Sequence, residues 1–300
     1  MAYLWFVTAL WAFSFSLIGV YLAGQVDNYF AVFTRVLLAC LVFLPFIKFS
    51  RIPAMLAVKL MVIGGIQLGI MYFFFYSSFG FLTVPEVVLF TVFTPIYITL
   101  LYDLMKRRFT LWYLVTAVIA VLGAAVIRYN HLSHDFVFGF LMVQGANICF
   151  ALGQVAYKYL MEQEGKTGKE TLPQHTVFGY FYIGALVVSA CGLIIWGDLS
   201  RLPASPVQWG VLLWLGLVAS GLGYFLWNKG ATLVDQGALA IMNNALVPAG
   251  LLVNLVIWNR DVDLLRLAIG GALIMMALWF NESWVKPRVE ARYGLSSPSV

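Results

Sequence analysis

The sequence predicts an all-α membrane protein with ten transmembrane helices in two inverted-topology repeats of five helices, and with both termini in the cytoplasm. Of its 300 residues, 62% are hydrophobic and 10% are charged, whereas about a quarter of the residues of an average soluble domain are charged. Long apolar stretches follow one another, and basic residues are distributed unevenly between the connections. These observations exclude an ordinary soluble globule, and unbroken apolar stretches favour helices over an outer-membrane barrel.

The apolar stretches define the predicted spans, because about 20 apolar residues cross the hydrocarbon core of a bilayer. The spans cover residues 3–22, 29–48, 59–79, 84–103, 109–127, 137–158, 176–196, 207–228, 238–258 and 264–284. The stretch MAYLWFVTALWAF lacks the charged start and the cleavage site of a secretory signal, so we expect the first helix to be retained. The longest connection, 161–175, is predicted to be a solvent loop, and the Ser/Pro-rich tail, 286–300, is predicted to be a disordered cytoplasmic segment.

The orientation follows from the basic residues, which are enriched on the cytoplasmic side of bacterial membrane proteins. If the ten spans alternate in direction, thirteen of the 18 Lys and Arg residues lie on the side of the two termini, four lie on the opposite side, and Arg35 lies within the second span. This distribution places both termini in the cytoplasm. The formal net charge of +5 then reflects topology, and we expect no nucleic-acid partner.

The spans also divide into two halves, residues 1–128 and residues 129–285. The first span of each half contains an aromatic residue followed by alanine, and the fourth span contains a proline. These positions are Trp11 and Phe150 for the aromatic residue, and Pro95 and Pro248 for the proline. Because each half has an odd number of spans, the second half enters the membrane from the opposite side. Inverted repeats of this kind are the architecture of many carriers.

Polar residues inside the spans indicate a ligand site, since such residues tend to face the bundle interior or a cavity. One helical stripe of the sixth span consists of Gln144, Asn147, Gln154 and Lys158. The ninth span carries adjacent Asn243 and Asn244, which point about 100° apart on a helix. Any of these carboxamides can instead form a hydrogen bond between helices, and such a bond contributes about 0.6 kcal/mol of stability on average. We expect at least one of Asn147, Asn243 and Asn244 to contact a ligand, and we favour Asn244 because it lies one turn before Pro248.

Three charged residues within or beside the spans each have more than one interpretation. Arg35 either snorkels to the outer interface or anchors an anionic group. Glu86 caps the first turn of the fourth span, pairs with Arg35 or couples transport to protons. Lys158 is explained equally well by cytoplasmic anchoring and by attraction of a substrate. Most aromatic residues belong in lipid-facing or interfacial positions, and the candidates for a cavity wall are Trp11, Tyr72, Tyr97 and Trp227.

Several functional classes are excluded by what the sequence lacks. No GxxxxGK[ST] loop occurs, so the chain alone is not expected to use ATP. No Ser/His/Asp set and no carboxylate pair occurs within the spans, so we predict no enzyme. The three histidines lie in polar connections and the three cysteines lie in apolar runs, which predicts neither a metal site nor a disulfide framework. No cofactor is expected.

Several segments carry a resemblance to a known family. The ten spans, the opening LWAFSF, the Arg35 segment FAVFTRVLLACLVFLPF and the two span prolines resemble the drug/metabolite transporter superfamily of the EamA type. The segments NICFALGQVAYKYLM and VASGLGYFLWNKGATLVDQGALAIMNNALVPAGLLVNLVIW are similar to those of the bacterial YigM-type biotin transporters. The resemblance covers about residues 3–285, and the long segment of the eighth and ninth spans is the most specific part of it.

The resemblance implies a lipid-embedded carrier of the bacterial inner membrane that imports biotin by alternating access. Asn147, Asn243 and Asn244 suit the ureido group, because a carboxamide both donates and accepts hydrogen bonds. Arg35 or Lys158 suits the valerate carboxylate, and Glu86 is the first candidate for proton coupling. An exporter of amino acids or other metabolites, and a receptor or assembly component that transports nothing, remain alternatives. The oligomeric state stays open, and a monomer is compatible with a central site.

Overall fold

The computed structural model describes residues 1–48, 52–82, 84–107, 109–127, 136–166, 173–258 and 264–293. All regular structure in this part of the chain is helical. Eight of its helices are long and apolar enough to cross a membrane. This confirms the predicted all-helical class. The predicted boundary between the halves, the middle of the loop 161–175 and the last residues of the tail lie outside the described residues.

We number the helical segments in chain order. They are α1 (Ala2–Leu22), α2 (Asn28–Phe46), α3 (Ala54–Ser78), α4 (Val84–Phe90, continuing through Thr91–Phe93 and Thr94–Lys106), α5 (Leu111–Ile127), α6 (Phe136–Lys166), α7 (Gln174–Trp196), α8 (Pro206–Thr232), α9 (Gln236–Trp258) and α10 (Leu264–Phe280, continuing through Asn281–Val285 and Lys286–Tyr293). Helices α4 and α5 are the two that are not among the eight of membrane-spanning length and composition.

Three helices extend beyond the apolar stretches that predict them. Helix α3 begins at Ala54, α6 continues to Lys166, and α10 continues to Tyr293. Helical hydrogen bonding does not stop where hydropathy falls, so polar residues prolong a helix into the interface. The first part of the tail is therefore helical where we expect disorder, and its Val289 packs with Tyr113 in a small apolar cluster.

Irregular turns interrupt several helices near the centre of the bundle. Helix α1 is broken at Phe13, α3 has a π-helical segment at Gly65–Ile70, and α8 has one at Trp214–Leu222. Helix α4 tightens into a 3₁₀ turn at Thr91–Phe93, just before Pro95. Such segments alter the backbone hydrogen-bond ladder and often occur at functional sites. In α9, by contrast, the assigned α-helix continues through Pro248 from Gln236 to Trp258.

Most packing joins the first five helices to the last five. Helix α1 packs on α8 and α9, α2 on α7 and α8, α3 on α6 and α7, α4 on α6 and α9, and α5 on α9 and α10. Glycines allow the closest of these approaches. A Cβ added to Gly64 of α3 would lie 1.8 Å from the carbonyl oxygen of Phe181, and one added to Gly184 of α7 would lie 1.9 Å from that of Met61. Small residues that let backbones touch are typical of membrane helix pairs.

Candidate functional site

A central cavity of about 110 Å³ lies where α1, α2, α3, α4, α6, α8 and α9 meet. Aromatic and aliphatic side chains, including those of Trp11, Phe150 and Tyr224, form most of its wall. Besides tyrosine hydroxyls, the polar side chains in the wall are those of Ser14, Arg35, Thr91, Thr94, Asn147 and Asn243. A largely apolar cavity with a few convergent polar groups is the usual form of a small-molecule site.

The guanidinium of Arg35 enters this wall from α2. Its Nη1 donates to the hydroxyl of Tyr76 at 2.8 Å, and its Nη2 donates to the hydroxyl of Tyr72 at 2.7 Å. Its Nη2 and Nε also donate to the Oγ of Ser220 at 2.9 and 3.2 Å. The cation lies 4.4 Å from the centroid of the Tyr72 ring. With 2% of its surface exposed, Arg35 does not snorkel to the interface.

These partners of Arg35 are all neutral. No Asp or Glu among the described residues lies within 4.0 Å of the guanidinium, so the pairing with Glu86 does not occur. A guanidinium has five N–H groups, and one N–H of Nη1 has no partner in the described part of the chain. A buried cation costs several kcal/mol unless it is paired. An anionic group in the cavity would supply the missing partner.

Asn147 of α6 also belongs to the cavity wall. Its Nδ2 donates to the carbonyl of Phe90 at 2.8 Å and to the Oε1 of Gln144 at 3.2 Å. Gln144 donates to the same carbonyl at 3.1 Å, so two side chains of α6 hold the end of the first piece of α4. No donor among the described residues reaches the Oδ1 of Asn147, which leaves this oxygen as an acceptor for a ligand.

Asn243 of α9 contributes the second carboxamide of the cavity. Its Nδ2 donates to the carbonyl of Leu239 at 2.7 Å, and its side chain exchanges contacts of 3.4 Å with Gln154. Gln154 lies behind the wall, where its Oε1 accepts from the indole of Trp227 at 2.9 Å. Trp227 is also behind the wall and stacks on Trp11, with ring centroids 5.1 Å apart. Gln154 and Trp227 therefore support wall residues and do not line the cavity themselves.

Three other predicted site residues lie away from the cavity. Asn244 donates to the carbonyl of Val92 at 3.2 Å and joins α9 to α4. The hydroxyl of Tyr97 donates to Gln144 at 3.1 Å, and Glu86 is buried in the first turn of α4. The position that we favour for Asn244 is thus occupied by Asn243. Because neighbours on a helix point about 100° apart, only one of the two asparagines faces the cavity.

The sequence interpretation omits several residues of the site. Ser14 lines the cavity, and its buried hydroxyl has no hydrogen-bond partner among the described residues. Ser220 holds Arg35 but was not a candidate. Helical spacing could have identified Ser14, which follows Trp11 by three positions. Regular spacing gives no signal for Ser220, because it lies in the π-helical segment Trp214–Leu222.

Lys158 lies at the far end of the polar stripe of α6, outside the cavity wall. Its Nζ donates to the carbonyls of Ala231 and Val234 at 3.0 and 2.6 Å, where α8 ends. The Glu162 carboxylate lies 3.3 Å away, and Lys106 of α4 pairs with the same carboxylate. Lys158 therefore ties α6 to the end of α8, and Arg35 is the candidate cation for a ligand in the cavity.

Comparisons with known proteins agree on one family. The chain is 56% identical over 281 residues to a probable biotin transporter of Pseudomonas aeruginosa. This match covers 94% of this chain and 97% of the relative. It is 50% identical over 290 residues to the biotin transporter of Salmonella typhimurium and 49% identical over 290 residues to that of Escherichia coli K12, and each match covers 96% of this chain and 95% of the relative. No family model matches the chain.

The fold is similar to that of a solved crystal structure. That structure covers 96% of this chain and 98% of its own length, with a TM-score of 0.73 and 18% identity. The named relatives are transporters and not enzymes, in agreement with the prediction that the chain has no catalytic site. Together with the apolar helices, they identify a multi-pass bacterial membrane protein. The chain belongs to the family of bacterial biotin transporters.

Proposed function

We propose that the chain carries biotin across the bacterial inner membrane into the cytoplasm by alternating access. The observation that carries this proposal is the buried guanidinium of Arg35, which faces a cavity without an acidic partner among the described residues. Biotin is an apolar ring system with a carboxylate at one end and a ureido group at the other. The names of the close relatives support this substrate.

The groups of the cavity match the groups of biotin one by one. The carboxylate suits the free N–H of Arg35, because charge-assisted hydrogen bonds to a guanidinium are strong. The ureido group has two N–H donors and one carbonyl acceptor, which suit the carboxamides of Asn147 and Asn243 and the hydroxyl of Ser14. The thiophane ring and the aliphatic chain suit the walls formed by Trp11 and Phe150.

Ten membrane-crossing helices in two inverted repeats, with cytoplasmic termini, are the architecture we propose for this transport. The packing supports this architecture. If each helix of α1–α5 is exchanged with its counterpart in α6–α10, the contact of α1 with α8 becomes that of α6 with α3, and the contact of α1 with α9 becomes that of α6 with α4. Both of these contacts occur. The equivalent helices α3 and α8 each contain a π-helical segment. This symmetry supports our assignment to the EamA branch of the drug/metabolite transporters, whose inverted repeats would meet at the cavity as in other carriers built this way.

Proton coupling would assist import, since moving an anion against an inside-negative potential costs about 2.3 kcal/mol per 100 mV. Glu86 is the first carboxylate to test, although it lies outside the cavity wall. We expect Glu86→Gln to keep biotin binding but to abolish the stimulation of uptake by an inward proton gradient. Stimulation equal to that of the unaltered protein would exclude Glu86 as the coupling group.

The import proposal is tested in a biotin auxotroph that lacks its own uptake system. Expression of the chain should restore growth at low biotin and accumulate labelled biotin, and Arg35→Gln at equal membrane abundance should reduce uptake at least about tenfold. Loss of label from the cells would indicate an exporter. Purified protein in liposomes should move biotin without any other protein, and failure to do so would favour a receptor or assembly component.

A further inference from the structure

The hydrogen-bond directions around Arg35 can be worked out from the atoms present. The guanidinium only donates, so the Oγ of Ser220 accepts from its Nη2 and Nε. The hydroxyl of Ser220 also lies 3.0 Å from that of Tyr72, where either oxygen is geometrically able to donate. Because Ser220 already accepts twice, its own hydrogen is the one that points to Tyr72.

Tyr72 is then an acceptor on two sides. Its oxygen accepts from the Nη2 of Arg35 at 2.7 Å and from Ser220 at 3.0 Å. Tyr72 lines the cavity, where its ring meets that of Tyr224 at a centroid distance of 6.0 Å. Ser220 thus fixes the Tyr72 oxygen beside the guanidinium, and the free N–H of Arg35 is the donor for an anionic oxygen.

Ser220 reaches this position through an irregular stretch of α8. It lies in the π-helical segment Trp214–Leu222, whose carbonyls bind side chains of neighbouring helices. The indole of Trp11 donates to the carbonyl of Ala219 at 2.8 Å. The hydroxyl of Tyr182, on α7, donates to the carbonyls of Ser220 and Gly221 at 2.8 and 2.5 Å. Tyr182 is fully buried and does not line the cavity.

We propose that Ser220 and Tyr182 are positioning residues that make the cavity selective for a carboxylate over its neutral amide. Tyr182 holds the π-helical segment, the segment places Ser220, and Ser220 fixes the guanidinium of Arg35 and the hydroxyl oxygen of Tyr72. This inference rests on the proposed function, in which Arg35 binds the carboxylate of biotin. A carboxamide in the same place lacks the charge that pairs with Arg35, and its NH₂ group cannot accept from the guanidinium.

The test compares labelled biotin uptake with its inhibition by unlabelled biotin and by biotinamide. Ser220→Ala and Tyr182→Phe each remove one hydroxyl, and Tyr157→Phe is the matched control, because Tyr157 is equally buried and donates to Gln174 at 3.2 Å, away from Arg35. We expect Ser220→Ala and Tyr182→Phe to raise the KM for biotin by about fivefold to tenfold. The inhibition constant of biotinamide should stay unchanged in both variants. Tyr157→Phe should change neither value.

Arg35→Gln separates the positioning role of Ser220 and Tyr182 from the proposed function. If it removes the preference for biotin over biotinamide while Ser220→Ala and Tyr182→Phe retain the full preference, the positioning role is refuted and the proposed function stands. If Arg35→Gln itself retains the preference, the carboxylate anchor is refuted as well. If one hydroxyl variant is not inserted at normal abundance, the other decides the outcome alone.

Discussion

Asn243 and Asn244 are neighbours in the sequence, yet they serve opposite sides of α9. The side chain of Asn243 lines the cavity and contacts Gln154, whereas that of Asn244 is 1% exposed and donates to the carbonyl of Val92 in α4. One turn of helix thus combines a cavity-lining carboxamide with a brace for the interrupted helix α4. Their replacement by alanine should have different consequences.

Asn243→Ala is expected to raise the KM for biotin about tenfold, equivalent to about 1.4 kcal/mol. The reason is that a polar group of biotin, buried in the cavity, would lose the hydrogen bond that Asn243 offers. Asn244→Ala should leave the KM unchanged and lower the thermal stability of the purified protein, since the carbonyl of Val92 loses a donor. Uptake kinetics and thermal unfolding in detergent measure the two effects. A KM increase in Asn244→Ala as large as that in Asn243→Ala would contradict this assignment.

Asn147→Ala is expected to reduce uptake at least about tenfold at unchanged membrane abundance. This change removes an acceptor in the cavity together with one of the donors to the carbonyl of Phe90. Gln144→Ala is the matched control, because Gln144 donates to the same carbonyl without lining the cavity. Equal loss of uptake in both variants would show that Asn147 acts only as a brace for α4.

Lys158→Met should lower stability and leave substrate affinity unchanged. The Nζ of Lys158 donates to two carbonyls at the end of α8 and pairs with Glu162, so its loss leaves buried polar groups without a donor. A buried acceptor that loses its donor costs about 1–3 kcal/mol, whereas Glu162 keeps its pairing with Lys106. Lys229→Met is the control, since the contacts of the Lys229 ammonium within the described part of the chain are cation–π contacts of 5.0 Å with Tyr3 and 5.9 Å with Phe225. A higher KM for biotin in Lys158→Met would indicate that Lys158 takes part in substrate binding.

Gly184→Ala should prevent the correct packing of α7 on α3. The added Cβ would lie 1.9 Å from the backbone carbonyl of Met61, a distance that no side-chain rotation relieves. Gly210→Ala is the control, because nothing lies within 4 Å of a Cβ at that position. Membrane abundance and fluorescence-detected gel filtration measure the effect. Monodisperse Gly184→Ala protein at normal yield would show that the two helices separate without cost.

The general character of the fold and of the site could be predicted from composition and periodicity. Apolar stretches predict helices because a backbone in hydrocarbon must satisfy its own hydrogen bonds. A polar stripe on α6 predicts an inward face, and the structure indeed directs Asn147, Gln154 and Lys158 into the bundle. The site candidates Trp11, Arg35, Tyr72, Asn147 and Asn243 all line one cavity.

Only the tertiary structure decided how each helix is rotated about its axis and which residues of neighbouring helices face each other. A sequence states that Arg35 lies within a span, but only packing against α3 and α8 decides whether its long side chain snorkels or is held by Tyr72, Tyr76 and Ser220. The role of Ser220 depends on a π-helical segment, which shifts side chains away from ideal helical positions. A prediction from periodicity treats each helix as regular and considers it without its neighbours. The chemistry of this site arises where irregular turns of several helices meet, so its geometry is a property of their packing.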